Sequence, residues 1–230
     1  MEMLPTNLLF GRYRRPLWVC LLAMAMAHIE SSVVVYLRMI YYPDGFRFPI
    51  VLAGSHVAVT EVCREMATLL LLIATAFLAG NSRRSRLAYF CIAFGVWDLF
   101  YYFWLWVILG WPASLLDWDI LFLVPVPWIG PVLSPALVSV SMIFWGAHTI
   151  LRTQNGEDLF FHRIDIFLGV IAIILLLLAF MFNYRIVLDQ TVPVSFPWGL
   201  YWLGLGLLWA VYIHRYIRQY GYGRIQARIG

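Results

Sequence analysis

Six ionisable side chains interrupt long apolar stretches in the first half of the chain. They are His28, Glu30, Glu61, Arg64, Glu65 and Asp98. A charged side chain at the centre of a membrane helix costs at least ~2.5–3.5 kcal/mol on insertion scales, so such residues face the bundle interior and are candidates for function. Carboxylates and imidazole are suitable ligands for iron, manganese and zinc. The sequence therefore predicts a divalent metal ion, or another cation, with four ligands: His28, Glu61, Glu65 and Asp98.

The spacing places three of these groups at a similar depth in the membrane. At about 1.5 Å per helical residue from the expected helix ends, His28 and Glu61 lie ~18 Å inside and Asp98 ~16 Å inside. A hydrocarbon core is about 30 Å thick, so all three are close to its middle. Three consecutive antiparallel helices therefore bring polar groups to one plane.

Helical phase assigns supporting roles to four further residues. They are Glu30, Arg64, Tyr101 and Tyr102. Arg64 shares a face with the two glutamates of its own helix, where it would orient a carboxylate or bind an anionic substrate group. Glu30 points about 200° away from His28, so we expect it to meet Arg64 or Arg38 instead. The two tyrosines share a helix face with Asp98.

The charges of this group do not balance. Glu30, Glu61, Glu65 and Asp98 supply four negative charges, and Arg64 supplies one positive charge. Such an excess is not stable at low dielectric, so some carboxylates are protonated, or water or a cation is present. Ion pairs that only hold the helices together are the structural alternative.

The composition indicates that lipid surrounds this group. Hydrophobic residues make up 63% of the 230 residues and charged residues 12%, whereas soluble domains have about 45–50% and about 25%. This excludes a soluble enzyme, a disordered chain and a disulfide-stapled secreted domain. All 16 basic residues are arginine, which excludes a retinal or pyridoxal phosphate Schiff base on lysine. Haem is disfavoured because a pair of histidine ligands would leave the carboxylates unexplained.

Six apolar stretches are long enough for transmembrane helices, which need about 20 residues each. They cover residues 16–37, 49–78, 87–111, 131–151, 164–182 and 198–217. We predict an all-α polytopic membrane bundle that forms one integral membrane domain over residues 1–230. Helices 1–3 at 16–111 contain the polar site, and helices 4–6 at 131–217 form a scaffold.

The distribution of arginine predicts the orientation of the bundle. Twelve arginines lie in the arm 1–15, in the connections between helices 2 and 3 and between helices 4 and 5, and around the tail 218–230. The opposite connections contain three. Both termini are therefore expected on the cytoplasmic side of the cell membrane, the inner membrane in a bacterium. Arginines at span ends do not form the basic patch of a nucleic-acid-binding protein.

The connection at residues 112–130 combines proline and tryptophan with apolar residues. Its prolines exclude one continuous helix. Irregular backbone at membrane depth requires protein or a water-filled cavity beside it. We predict a non-cytoplasmic cap that packs over the bundle, at the interface or shallowly re-entrant. An ordinary surface loop is the alternative.

Three functions fit these features, and the sequence leaves open whether the protein is an enzyme. The first is a midplane cation site used for chemistry on a lipid or another membrane-soluble substrate. The second is a proton or cation pathway, with Asp117 and Asp119 at its outer mouth. The third is a non-catalytic subunit of a larger membrane complex, in which helices 4–6 dock partner subunits or pigments.

Overall fold

Most of the chain is helical, as predicted. The computed structural model describes residues 6–49, 54–157 and 159–221, with side chains from residue 13 to residue 219 of those ranges. Within these ranges the chain forms seven α-helices, two short β-strands and a final π-helical turn. The ends of the predicted arm and tail, residues 1–5 and 222–230, lie outside the described residues.

The helices follow one another along the chain with two longer connections. Their bounds are α1 Thr6–Tyr41, α2 Ser55–Ala79, α3 Arg83–Leu109, α4 Leu133–Gln154, α5 Arg163–Met181, α6 Arg185–Leu188 and α7 Trp198–Tyr216. The π-helical turn Ile217–Gly221 extends α7. The first helix is longer than the predicted span 16–37 at both ends, because loss of apolar character does not end a helix. The helix ends at Tyr41, because Pro43 disfavours helical backbone at the residue that precedes it.

Five helical segments are long and apolar enough to cross a membrane. They are Tyr13–Tyr41, Ser55–Ala79, Arg83–Leu109, Leu133–Gln154 and Arg163–Leu188. The sixth predicted span forms α7, but this helix is not among the five. Its tryptophans and tyrosines, together with His214 and Arg215, keep its hydropathy below that of the five segments.

Capping residues set both ends of α3. The Ser82 hydroxyl accepts a hydrogen bond from the backbone N–H of Ser85 at 3.1 Å, and the Ser85 hydroxyl accepts one from the N–H of Ser82 at 2.9 Å. This reciprocal arrangement satisfies two backbone donors at the start of the helix. At the other end Gly110 adopts a left-handed conformation with φ of 67°, which glycine adopts without steric cost.

The connection between α3 and α4 contains a two-stranded antiparallel sheet, so the expectation of an all-α chain is corrected here. Strand β1 covers Trp118–Phe122 and β2 covers Trp128–Pro131, with Ile120 opposite Ile129 and an irregularity before Phe122. The prolines that prevent a helix are tolerated at the ends of a strand and in its turn. Paired strands satisfy their backbone groups, as an apolar environment requires.

The helix α4 packs against two separate apolar clusters. One cluster joins α1, α2 and α3, and Ile150 of α4 belongs to it. The other joins α5 and α7 with Phe196, and Trp145 of α4 packs against it. This shared helix therefore connects the half of the bundle that contains the predicted polar site to the half predicted as scaffold.

Glycines allow α3 and α4 to approach closely. A Cβ atom on Gly95 would lie 2.6 Å from the backbone oxygen of Ser139, and a Cβ atom on Gly146 would lie 2.5 Å from the backbone oxygen of Ala88. Both distances are too short for any other residue type without a shift of the backbone. Small residues at helix crossings are typical of membrane bundles.

Arginine-rich segments meet at one end of the bundle. The guanidinium of Arg84, at the start of α3, lies 4.2 Å from the ring centroid of Phe160 in the connection between α4 and α5. The backbone N–H of Phe160 donates a hydrogen bond to the side chain of Gln219 at 3.0 Å. Two connections and the C-terminal segment are therefore neighbours at this end.

Candidate functional site

A cavity of about 400 Å³ lies between α1, α2, α3 and the β-hairpin. More than half of its 24 lining residues are apolar. Its charged lining residues are Glu30, Arg38, Glu61, Arg64, Glu65, Asp98 and Asp119. Seven of the eight site residues predicted from sequence line this one cavity, including Tyr101 and Tyr102. Ligand sites are typically concave and largely apolar, with a few polar groups that orient the ligand.

Arg64 joins the two glutamates on either side of it. It forms an ion pair with Glu30 of α1, and its Nη2 lies 2.6 Å from Oε2 of Glu61, one turn earlier on α2. Thr68 donates a second hydrogen bond to Glu30 at 2.9 Å. Of the two partners that the sequence left open for Glu30, the structure selects Arg64. This cluster neutralises one of its two carboxylates and leaves one negative charge in excess.

Glu65 and Asp98 have no cationic partner at ion-pair distance among the residues that the structure describes. Both oxygens of Glu65 accept a hydrogen bond from the backbone N–H of Leu123 at 3.0 Å, which ties α2 to the hairpin. One oxygen of Asp98 accepts a hydrogen bond from the hydroxyl of Ser139 on α4 at 2.7 Å. Both carboxylates are buried, with 7% and 8% of each residue exposed.

Arg38 and Asp119 form a second ion pair in the cavity wall. Nη2 of Arg38 donates to Oδ1 of Asp119 at 3.1 Å, which connects the last turn of α1 to β1. The Arg38 guanidinium also lies 4.2 Å and 3.7 Å from the ring centroids of Phe46 and Trp111. Sequence reasoning placed Asp119 only at the mouth of a pathway and missed this pair, because nothing in the linear order links residues 81 positions apart.

Two atoms of this pair have no hydrogen-bond partner among the described residues. Nη1 of Arg38 and Oδ2 of Asp119 are both buried and unpartnered within the described part of the chain. The hydroxyl of Tyr102 lies beside the Asp119 carboxylate and lowers its pKa, although no described residue donates a hydrogen bond to Oδ2 itself. Burial raises the pKa of Asp119 to about 6, against the opposing effect of the nearby Arg38 charge. Unsatisfied buried polar atoms are rare in native proteins and call for an explanation.

His28 does not join the other predicted ligands. Its side chain is exposed, and its ring lies 4.8 Å from the ring of Trp104 in an edge-to-face arrangement. It is not among the residues that line the cavity. Depth alone had placed His28 with the carboxylates, but it lies on the opposite face of α1 from Glu30. The cavity is therefore a carboxylate, arginine and tyrosine site without imidazole.

Cation ligands in this cavity would come from its unpaired carboxylates. Across residues 6–49, 54–157 and 159–221, no group of three or more His, Cys, Asp or Glu side chains is arranged to hold a metal ion. Glu65 and Asp98 are the two lining carboxylates outside ion pairs and are the best placed to face a bound positive charge. Tyr101 lies within electrostatic range of Arg38 and Asp98, so the charged groups belong to one continuous site.

No protein-family model matches this chain, and neither a curated protein nor a solved structure matches it.

Proposed function

We propose that this protein is an integral membrane protein that binds a cation in the cavity between α1, α2, α3 and the hairpin. The observation behind this proposal is that Glu65 and Asp98 line the cavity without a cationic partner within the described residues. A carboxylate kept out of water needs a positive charge, a proton or several hydrogen-bond donors. Among the described residues, each of these two accepts hydrogen bonds from one donor group.

The charges around the cavity support the same conclusion. Its described wall contains five carboxylates and two guanidinium groups. The two ion-paired clusters account for both arginines, so up to three negative charges remain. Coulomb attraction is stronger at low dielectric than in water. A site of this kind attracts a positively charged ligand and repels an anionic one.

The membrane setting of the site belongs to the same proposal. We place six spans in the cell membrane, with α7 as the sixth, because α7 is apolar over most of its length and packs against α5. Both termini are cytoplasmic, since twelve of the arginines lie at that end by sequence. The hairpin then covers the cavity from the opposite side.

Cation binding by the purified protein tests this function directly. Titration calorimetry in detergent would compare an alkylammonium ion with manganese and zinc, and metal analysis would follow on the same preparation. We expect saturable binding of at least one of these cations by the wild-type protein. Replacing Glu65→Gln or Asp98→Asn should weaken that binding, because each removes a negative charge from the wall.

Glu157→Gln is the matched control for these variants. Glu157 is 47% exposed, pairs with Arg152 and does not line the cavity. Its replacement should leave cation affinity unchanged. Absence of binding by every cation tested, or affinities that Glu65→Gln and Asp98→Asn do not alter, would contradict the proposal.

A further inference from the structure

The Arg38–Asp119 pair presents a donor and an acceptor that no described residue of the protein uses. Arg38 is 6% exposed and Asp119 2% exposed, and both line the cavity. Each uses one terminal atom for the ion pair and leaves the other without a partner in the described part of the chain. An unsatisfied buried polar group costs about 1–3 kcal/mol, and more for a charged one. These atoms therefore indicate a ligand group that is missing from the wall.

The rings beside Arg38 hold it in place. Phe46 and Trp111 lie within cation–π distance of its guanidinium. Such contacts are attractive and restrict a side chain that is otherwise flexible. Because Asp119 is paired to it at 3.1 Å, the unpartnered Nη1 and Oδ2 belong to one preorganised unit.

The ligand group that suits this unit is neutral and both accepts and donates. It must accept from the Arg38 donor and donate to the Asp119 acceptor. A carboxylate or phosphate would face the excess of acids around the cavity and would be repelled. A hydroxyl group has one donor and two acceptor positions and satisfies both atoms at once.

The acidic end of the same cavity specifies the second feature of the ligand. Glu65 and Asp98 lie there without ion-pair partners among the described residues. Asp98 and Asp119 line the same cavity of about 400 Å³, so one ligand inside it can contact both ends. The apolar majority of the lining suits a ligand with a hydrocarbon part.

We propose that the cation bound in this cavity is an amine with a neighbouring hydroxyl, whose ammonium faces Glu65 and Asp98 and whose hydroxyl bonds to Arg38 and Asp119. This proposal rests on the cation-binding function above and names its ligand class. The amino alcohol can be the head of a long-chain membrane lipid or a free water-soluble molecule. Both sources present the same chemistry to the cavity.

Matched ligands test the hydroxyl without any change to the protein. Sphinganine, octadecylamine and octadecanol would be compared for equilibrium binding to the wild-type protein in lipid nanodiscs. We expect sphinganine to bind about tenfold more tightly than octadecylamine, since one satisfied pair of buried polar atoms is worth roughly that factor. Octadecanol should bind more weakly than both. The same measurement with ethanolamine and ethylamine, which lack a long chain, distinguishes the two sources. Tighter binding of ethanolamine than of ethylamine indicates a free ligand, and binding of the long-chain amines alone indicates a lipid head.

Variants assign each end of the ligand to its residues. Asp119→Asn should reduce the preference for sphinganine over octadecylamine, whereas Glu65→Gln should weaken both amines equally. The double variant Arg38→Gln, Asp119→Asn removes both charges and serves if the single variant does not fold. Asp117→Asn is the control, because Asp117 bonds to the backbone N–H groups of Ala113 and Ser114 and does not line the cavity.

Three outcomes distinguish failure of this proposal from failure of the function on which it rests. If both amines bind equally in the wild type and Asp119→Asn changes neither, ordered water fills the pair, and the amino alcohol proposal is wrong while cation binding stands. If a metal ion binds and no amine does, the ligand class is also wrong. If no cation binds, the proposed function itself fails.

Discussion

Arg64 on α2 forms ion pairs with Glu30 on α1 and with Glu61 on its own helix, the latter at 2.6 Å between Nη2 and Oε2. The guanidinium suits this role because its planar fork offers several donors at fixed angles. Thr68 completes the set by donating to Glu30 at 2.9 Å. This cluster is the polar connection between α1 and α2 at the cavity wall.

Removal of Arg64 should destabilise the protein strongly. In Arg64→Gln, Glu30 and Glu61 would remain at the cavity wall without their shared cation. Loss of one partner from a buried ion pair typically costs about 3–5 kcal/mol. The melting temperature in detergent should fall clearly, and thermal denaturation followed by circular dichroism would measure it.

Two companion variants make this result specific. A triple variant removes all three charges by combining Arg64→Gln with Glu30→Gln and Glu61→Gln. It should recover much of the stability that Arg64→Gln loses. Arg83→Gln changes an exposed arginine at the start of α3 and should have little effect. A triple variant that is less stable than Arg64→Gln would show that the carboxylates contribute through other contacts.

Stability should depend on pH through Asp119. Its pKa is raised from 3.8 to about 6 by burial, so the folded protein binds this proton more tightly than the unfolded chain. The free energy of unfolding contributed by this group therefore falls as pH rises from 3.8 to about 6 and is constant above that window. Asp119→Asn should remove this dependence.

Melting temperatures at pH values on both sides of the window would measure that difference. The comparison is between wild type and Asp119→Asn at each pH, because other acids titrate in both proteins. A difference between the two proteins that grows above neutral pH, or that does not vary with pH, would contradict the assignment to Asp119.

Close packing of α3 on α4 should be sensitive to one added methyl group. Gly95→Ala places Cβ 2.6 Å from a backbone oxygen of α4, and Gly146→Ala places it 2.5 Å from one of α3. Overpacking of this kind costs about 1–3 kcal/mol. Gly206→Ala is the control, since nothing lies within 4 Å of its added Cβ. Equal melting temperatures for all three variants would argue against this close approach.

His28 should not contribute to cation affinity. It is exposed and contacts Trp104 outside the cavity. We therefore expect His28→Ala to bind the cation like the wild type in the same titration that detects the loss in Glu65→Gln. Weaker binding by His28→Ala would contradict the placement of His28 outside the site.

Thiol labelling in intact cells would determine the orientation of the hairpin. In a variant without Cys20, Cys63 and Cys91, a new cysteine at Ser114→Cys should react with a membrane-impermeant maleimide added outside the cells. Asn155→Cys lies at the arginine-rich end and should react only after permeabilisation. The reverse pattern would invert the predicted topology.

The sequence predicted most of the helices and the shared helix faces of the carboxylates, because both depend on local patterns. Apolar length identifies a span, and helical periodicity puts Glu61 and Glu65 on one face. Glu61, Glu65 and Asp98 accordingly line one cavity. Depth alone does not fix rotation about the helix axis, which is why His28 was grouped with them although it points elsewhere.

The sequence does not predict which side chains pair over long distances along the chain. The partner of Arg38 is Asp119 on a strand, and the partner of Asp98 is Ser139 on α4. Neither pair has a spacing that a known motif would predict. The first depends on how the hairpin packs against α1, and the second on how α3 packs against α4. The prolines at 112–130 signalled that a helix was absent, but they did not specify paired strands.

The wall of the cavity comes almost entirely from one stretch of the polypeptide. Of the 24 residues that line the cavity, all except Val187 lie between Glu30 and Pro127. Substitutions within residues 30–127 are therefore enough to reshape almost the whole of this wall. The later helices reach this wall through Val187 and through Ser139 of α4, which donates to Asp98.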